Sequence, residues 1–407
     1  MNNSKLFEKI TLNNGVEIDN RLAVPPLTLF ASNQDGSITD EERNYLKVRG
    51  KDIGLYILGA TIISKEGMST LNYPTAMTQK DIPSLEERAK IIKSNGTKVI
   101  WQINHAGCLA LKEMTGLDPV VPSAEVAIKD AEQRGSKMKD FHELNDEEIK
   151  KIIEKFAYTT ELLIKAGYDG VEVHGANNYL IQQFYSPHTN KRTDDWGGSD
   201  EKRMKFALEI VDAICKVREK CKCPKFIVGY RLSPEEPYED GITMTETLKL
   251  IRCLVKKPLQ FIHISQKDYF KKTRRGKGAG IERLKVIHEI TKDKVALVGV
   301  GGLKSEKQIM SAINSGFSEF VAVGNGSMMN KDLGTLLKEG KGDKLEVELD
   351  TEHPEKYAFP NNLWQMCLQD IDWLPPLKGK PRKKWTFYIL EILNIWYSFN
   401  IWNNKRI

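Results

Sequence analysis

The stretch Gly170–Tyr179 reads GVEVHGANNY and joins a short apolar strand to a cluster of polar side chains at the end of that strand. Side chains alternate between the two faces of a strand, so Glu172 and His174 share one face while Val171 and Val173 share the other. In a parallel α/β barrel, polar residues at the carboxyl ends of strands surround the catalytic mouth. The pattern therefore predicts that Glu172 and His174 face a lumen.

Working outward from this stretch, short apolar runs alternate with amphipathic helical patterns, which is typical of parallel strands joined by crossover helices. The predicted strands are Arg21–Thr28, Leu55–Ile62, Lys98–Asn104, Gly170–His174, Phe226–Arg231, Leu259–Ser265, Val295–Val300 and Glu319–Gly324. The clearest predicted helices are Asp146–Ala166, Met204–Lys220, Thr243–Lys256, Arg283–Thr291 and Ser305–Ser315. Eight such units favour a (β/α)8 TIM barrel of the α/β class, and an open doubly wound sheet with fewer strands is the alternative.

The segments before and after the barrel predict additional parts. Residues 1–20 contain Asn13-Asn14-Gly15 between two apolar pairs, a signal for a β-hairpin that caps one end of the barrel. The barrel is expected over residues 21–340 and a polar, wrap-around tail over 341–377. Residues 378–407 are expected to form a basic, aromatic, amphipathic helix as a C-terminal extension.

Composition excludes a disordered or fibrous chain, because 40% of the 407 residues are hydrophobic and 29% are charged. The formal net charge is +6, and residues 378–407 hold seven basic residues against Glu391 alone, which accounts for the entire excess. The charge is therefore poor support for nucleic-acid binding. An anionic lipid surface or an acidic protein face is the charged partner that this extension favours.

The C-terminal segment 385–402 leaves several interpretations open. It has an aromatic, apolar face with basic residues on both flanks, which suits a helix lying at a membrane surface. Packing on the barrel, contact with a second copy of the chain, and a membrane span are the alternatives. The six cysteines lack the paired spacing of a zinc site, so no metal is expected. We expect a cytoplasmic protein. It would be attached to a membrane through the extension if segment 385–402 lies at a membrane surface.

The polar residues after the fourth predicted strand suggest carbonyl chemistry. His174 and Asn177 form a donor pair suited to a carbonyl oxygen, and Tyr179 stays protonated at neutral pH and can act as a general acid. A hydrogen-bonded structural histidine and a helix-capping asparagine are the alternative. Other predicted strand ends place Thr28 and Arg231, together with Gln102 and Asn104, at the same mouth.

Glycine-rich turns follow the last two predicted strands. They supply Gly301 and Gly302 in one loop and Gly324 and Asn325 in the other. Loops at these positions of a barrel often bind phosphate through backbone N–H groups, although plain tight turns would explain the same residues. Neither loop fits the G-x-G-x-x-G pattern of a Rossmann domain.

These motifs resemble the old yellow enzyme family of FMN-dependent ene-reductases. The similarity runs from about Lys5 to Leu374 and is most specific in the run AGYDGVEVHGANNYLIQQF, residues 166–184. Supporting pieces are Pro26 with Thr28, Gln102 before His105-Ala106-Gly107, and the run GYRLSP at residues 229–234.

The resemblance implies an FMN enzyme that uses NADH or NADPH to reduce the C=C bond of a small enone or enal. It implies that His174 and Asn177 hold the carbonyl oxygen and that Tyr179 protonates the α-carbon while flavin N5 delivers hydride to the β-carbon. The residues expected to bind FMN are Pro26, Thr28, Ala60, Gln102, Arg231, Gly301, Gly302, Gly324 and Asn325. Many relatives carry Arg where this chain has Asn325, so phosphate binding would depend on backbone N–H groups and a further cation.

Two alternatives from other functional classes remain at this point. One is a flavin-free, phosphate-binding barrel lyase or isomerase, in which His174 and Tyr179 would transfer protons. The other is a barrel that has lost catalysis and acts as a binding protein through its C-terminal extension. An isomerising or demethylating flavin barrel is a nearer variant of the main prediction.

Overall fold

The structure is a computed structural model that describes residues 4–133 and 135–381. Eight parallel strands close into a barrel in chain order, which confirms the predicted (β/α)8 fold. The barrel strands are β1 (Leu22–Val24), β2 (Leu55–Ile62), β3 (Lys98–Asn104), β4 (Gly170–Gly175), β5 (Ile227–Leu232), β6 (Phe261–Ile264), β7 (Ala296–Val300) and β8 (Phe320–Ala322).

The outer layer consists of one helix after each strand, and the first seven are crossover helices that lead to the next strand. These helices are α1 (Asp40–Lys47), α2 (Ile82–Lys93), α3 (Asp146–Lys165), α4 (Asp200–Lys220), α5 (Met244–Leu254), α6 (Arg283–Thr291), α7 (Glu306–Ser315) and α8 (Leu333–Lys338). Further helices lie in the loops and the tail, at Lys112–Thr115, Ala124–Gln133, Leu180–Tyr185, Asn325–Met329 and Asn361–Leu368. Small two-stranded sheets pair Ile10–Thr11 with Glu17–Ile18, and Val120–Val121 with His142–Glu143.

Local sequence explains where several helices begin. Asn145 caps α3, Thr243 caps α5 and Ser305 caps α7, and each forms a reciprocal capping box with the third helical residue. The caps lie just after the loops that surround the carboxyl ends of the strands, so they define the rim of that end of the barrel.

The first strand is shorter than predicted. We expected it to extend to Thr28, but β1 ends at Val24 because Pro25 and Pro26 follow, and proline has no N–H to give to a strand ladder. Thr28 therefore lies in the loop after β1 rather than at the strand end. Ala60, one of the residues expected to bind FMN, lies inside β2 beside a register irregularity between Leu58 and Thr61.

The amino-terminal end of the barrel is packed with apolar side chains. Phe261 from β6 fills the space opposite Gly229 of β5, where an added Cβ would lie 2.0 Å from the phenyl ring. The hairpin residues Leu12, Val16 and Ile18 join the same buried cluster. The polar part of the lumen therefore lies toward the opposite end, where the strands terminate.

The chain after α8 packs on the barrel. The buried guanidinium of Arg49, just after α1, donates to the carbonyl oxygens of Ser327 and Met328 at 3.2 and 2.9 Å and to that of Tyr357 in the tail at 2.7 Å, and so joins the tail to the barrel. The predicted helix 385–402 lies outside the described residues. Within residues 4–133 and 135–381, no helix has the length and apolar character needed to cross a bilayer.

Candidate active site

A buried carboxylate connects three strands inside the lumen. Glu172 of β4 accepts a hydrogen bond from Gln102 Nε2 of β3 at 2.6 Å and contacts His263 Nδ1 of β6 at 2.8 Å. All three side chains are almost completely buried. Because a carboxylate only accepts hydrogen bonds, it turns the Gln102 amino group toward itself and leaves the Gln102 carbonyl oxygen for another partner. This confirms that Glu172 faces the lumen.

A second polar layer lies next to Glu172 at the mouth. His174, Arg231 and His263 occupy neighbouring register positions on β4, β5 and β6. Burial, and then the positive charge of Arg231, hold the pKa of His174 well below its usual value. His174 is therefore neutral at physiological pH, and a neutral imidazole donates one hydrogen bond and accepts one.

The charge of Arg231 is held in the same layer. Burial lowers the pKa of Arg231, while the nearby Glu172 carboxylate opposes that shift. Burial is also the main cause that lowers the pKa of His263, although contact with Glu172 raises it. The site thus keeps a guanidinium charge beside two neutral imidazoles.

Tyr179 follows β4 and lies against His174. Their ring centroids are 4.9 Å apart and the planes meet at 68°, an edge-to-face contact. Burial raises the pKa of Tyr179 and so keeps the phenol protonated, although an interaction with the Ser69 side chain opposes that shift. Tyr179 also precedes the helix Leu180–Tyr185, whose six residues are all buried and hold its backbone in place.

Asn177 lies on the rim rather than deep in the lumen. Its backbone adopts a left-handed φ of 58°, and its side chain is exposed. The Oδ1 atom accepts from Ser265 Oγ at 2.8 Å, and the backbone N–H donates to Ser233 Oγ at 2.9 Å. Ser265, in the loop after β6, therefore orients the side-chain amide so that its amino group remains available, while Ser233, in the loop after β5, holds the Asn177 backbone.

Thr28, Tyr73 and Ala60 form one cluster on the other side of the mouth. The hydroxyl groups of Thr28 and Tyr73 are 3.1 Å apart, and the Ala60 N–H donates to Tyr73 Oη at 3.4 Å. Pro26 lies beside Gly59, where an added Cβ would be 3.2 Å from Pro26 Cβ and 2.8 Å from Gln102 Cβ. Glycine at position 59 lets the β1 loop approach β3 closely.

The glycines in the loops after β7 and β8 differ in why the structure has glycine at each position. Gly301, with φ of 144°, packs against the loop after β6, because an added Cβ would lie 2.5 Å from Tyr269 N. Gly302 is exposed with φ of 66°, whereas Gly324 has ordinary space around it. Asn325 donates from Nδ2 to the Leu374 carbonyl oxygen at 3.2 Å, so its side chain binds the tail.

The lumen contains buried polar atoms that suit a polar planar ligand. His174 Nδ1, Arg231 Nε, His263 Nε2 and both amide atoms of Asn104 are buried without a hydrogen-bond partner among the described residues. Leaving such groups unpaired costs about 1–3 kcal/mol each. A flavin ring carries carbonyl oxygens, ring nitrogens and an N–H group, so the donors and acceptors of this lumen fit FMN.

Sequence reasoning overlooked His263, Tyr73 and Ser69. His263 had a recognisable signal, since it is the single polar residue of the buried strand Phe261–Ile264. Tyr73 and Ser69 lie in the irregular segment after β2, and no periodic pattern pointed to them.

Comparison with known proteins places the chain in a family. A model of the NADH:flavin oxidoreductase / NADH oxidase family matches residues 5–344. The probable NADH-dependent flavin oxidoreductase YqiG of Bacillus subtilis (strain 168) is 39% identical over 370 residues, covering 91% of this chain and 97% of YqiG. The NADH:acrylate oxidoreductase of Vibrio harveyi is 32% identical over 371 residues, covering 89% of this chain but only 36% of that protein.

Solved structures share the fold. The old yellow enzyme homologue of Zymomonas mobilis superposes with a TM-score of 0.72 at 22% identity, covering 88% of this chain and 99% of the homologue. These matches overturn the flavin-free lyase or isomerase alternative. The chain belongs to the NADH:flavin oxidoreductase / NADH oxidase family and is an FMN-dependent enzyme that uses NADH or NADPH.

Proposed function

We propose that the enzyme reduces the C=C bond of α,β-unsaturated carbonyl compounds. The observation that carries this proposal is the pairing of a neutral His174 with a protonated Tyr179, whose rings touch at the mouth beside the Arg231 charge. A carbonyl activator next to a proton donor is the arrangement needed to add hydrogen across a polarised double bond.

His174 and Asn177 hold the substrate's carbonyl oxygen in this proposal. The two side chains reach the mouth from the end of β4 and from the turn that follows it, and the serine contacts orient the Asn177 amino group. Hydrogen bonds to that oxygen withdraw electron density from the conjugated system and make the β-carbon electrophilic.

Tyr179 donates the proton to the α-carbon. Its raised pKa makes the phenol a weak acid that remains protonated until negative charge develops on the substrate. Bound FMN would supply the hydride for the β-carbon, with NADH or NADPH as the source of that hydride.

The FMN-binding residues are assigned by the polar atoms they offer. Gln102 would offer its carbonyl oxygen to the pyrimidine edge because Glu172 holds its amino group, and Arg231 would supply positive charge near N1 and O2. Thr28, Ala60 and Pro26 border the ring, while backbone N–H groups of Gly301, Gly302, Gly324 and Asn325 bind the phosphate. The Asn325 side chain takes no part, since it binds Leu374.

Two relatives suggest that small unsaturated acids belong in the substrate panel. Their names describe an NADH:acrylate oxidoreductase and an NADH:fumarate oxidoreductase, both 32% identical to this chain. The chain corresponds to 36% and 39% of their lengths, so their activities are a reason to test acrylate and fumarate beside enones and enals.

The test separates the two half-reactions in the Tyr179→Phe variant. Without oxygen, NADH or NADPH should bleach the flavin of this variant at the wild-type rate, whereas reoxidation by an enone should slow about 10²–10⁴-fold, the usual contribution of a general acid. Tyr168→Phe is the matched control, because that buried phenol donates to the Leu85 carbonyl outside the lumen. Equal reoxidation rates in Tyr179→Phe and wild type would remove Tyr179 from the reaction.

A further inference from the structure

A strongly basic loop lies on the same end of the barrel as the active site. Residues 271–280, which we call the basic loop, read KKTRRGKGAG and contain five basic residues and no acidic one. The loop belongs to the connection between β6 and α6, so it emerges from the carboxyl end of the barrel. The chain outside the C-terminal extension is formally neutral, which makes this local charge notable.

The positive charges of the loop are not neutralised by carboxylates. None of its lysines and arginines forms an ion pair with any residue in the described part of the chain. Arg274 and Arg275 donate instead to backbone carbonyl oxygens of Glu236 and Glu239, at 2.6–3.1 Å. Lys271, Lys272 and Lys277 are exposed.

The loop is held rigidly by a buried glutamate. The Glu235 carboxylate accepts the backbone N–H groups of Arg274 and Arg275, at 2.9–3.2 Å, and is also bound by Arg283 Nε at 2.7 Å. Gly276 approaches Thr243 and Thr245 so closely that an added Cβ would lie 2.7–2.8 Å from their hydroxyl oxygens. A ligand would therefore meet a preorganised surface.

Hydrogen bonds connect the loop to the substrate-binding segment. Glu236, whose carbonyl oxygen receives both arginines, accepts from Gln182 Nε2 at 2.7 Å and from Ser186 Oγ at 2.6 Å. Gln182 lies in the helix that directly follows Tyr179. The strand leading into the loop ends just before Ser265, which holds Asn177.

We propose that the basic loop binds the diphosphate of an adenine nucleotide whose reactive end occupies the lumen. This inference rests on the proposed function. A diphosphate is strongly hydrated, so it would remain outside the buried lumen, at the mouth. Lysine and arginine bind phosphate well, and here they stand on a rigid loop at that rim. Two ligands carry this chemistry: the NADH or NADPH reductant, and a coenzyme A thioester of an unsaturated acid.

The test neutralises the exposed lysines of the loop in the FMN-loaded enzyme. The variant is Lys271→Gln/Lys272→Gln/Lys277→Gln. The control is Lys216→Gln/Lys256→Gln/Lys294→Gln, which removes the same charge from exposed lysines that form no ion pair among the described residues and lie toward the opposite end of the barrel. Calorimetry measures the Kd of ADP, and stopped-flow measures flavin bleaching by NADH and NADPH and reoxidation by acrylate and acryloyl-CoA.

We expect the loop variant to bind ADP about tenfold more weakly than the wild type and the control, because it removes three exposed charges that would attract the diphosphate, each with a modest effect. A matching rise in the KM for NADH or NADPH, with kcat unchanged, identifies the reductant as the ligand. A rise confined to acryloyl-CoA identifies the thioester. Unchanged ADP affinity in the loop variant overturns the proposal. Failure of both nucleotides to bleach the wild-type flavin would refute the proposed function. The ADP measurement would still show whether the basic loop binds a diphosphate.

Discussion

Replacing Glu172 by glutamine tests whether this buried carboxylate organises the flavin pocket. The side chain accepts from Gln102 Nε2 at 2.6 Å and contacts His263 Nδ1 at 2.8 Å, with no exposure to solvent. A glutamine at position 172 is nearly isosteric but offers one acceptor and one amino group. Its amino group must face either another amino group or an imidazole N–H, so Gln102 has to flip or His263 has to change tautomer.

The cost follows from the contacts that are lost. One charge-assisted hydrogen bond is worth about 1.5–3 kcal/mol, and the second can survive as a neutral one. If Gln102 flips, its amino group replaces its carbonyl oxygen toward the pyrimidine edge. We therefore expect FMN affinity to fall about 10–100-fold in Glu172→Gln.

Quenching of FMN fluorescence on titration with the FMN-free protein measures this affinity. Glu319→Gln is the matched control, because Glu319 contacts His288 Nε2 at 2.7 Å and accepts from the Leu297 N–H in a partly buried site at the start of β8. The control should bind FMN like the wild type. An FMN Kd for Glu172→Gln within twofold of wild type would refute the assigned role of this network.

Three further changes have defined outcomes. Arg231→Gln removes the buried charge assigned to flavin N1 and O2, so the flavin midpoint potential should fall by about 30–60 mV, the two-electron equivalent of roughly 1.4–2.8 kcal/mol; an unchanged potential would contradict the assignment. Burial lowers the pKa of His263 in the folded protein. As the pH falls below about 6.5, this histidine is therefore protonated in the unfolded chain first, and the free energy of unfolding decreases by up to about 1.4 kcal/mol per pH unit. The urea midpoint of the wild type should then fall more steeply between about pH 7 and 5 than that of His263→Gln, which lacks the titrating group. Gly229→Ala should lose at least about 1–3 kcal/mol of stability, because the new Cβ would lie 2.0 Å from the Phe261 ring, whereas Gly324→Ala, with 3.4 Å to its nearest neighbour, should match wild type in a thermal shift assay.

The sequence was sufficient to predict the barrel because strand periodicity and helix caps are local signals. The predictions for β2 and β3 agree with the structure at both ends. The first strand was predicted too long because Pro25 and Pro26 interrupt an otherwise apolar run. That prediction followed the apolar composition of the run and neglected the missing proline N–H groups.

The candidate site was predictable only where its residues lie near each other in the sequence. The motif from His174 to Tyr179 can be recognised from the sequence alone, because the alternation of side chains along the strand and the turn that follows bring its side chains to the mouth. His263 reaches Glu172 from 91 residues away, a contact created by barrel closure rather than by local pattern. The attachment of Asn325 to Leu374 likewise depends on how the tail packs.

The most direct test of the central claim follows the flavin and the product together. FMN-loaded enzyme is reduced with NADH or NADPH in the absence of oxygen, and an enone or enal is then added in D₂O. We predict that the visible flavin absorbance disappears and returns, and that the saturated product takes up deuterium at the α-carbon. A flavin that neither nucleotide bleaches, or a bleached flavin that no member of the unsaturated carbonyl panel reoxidises, would contradict the account.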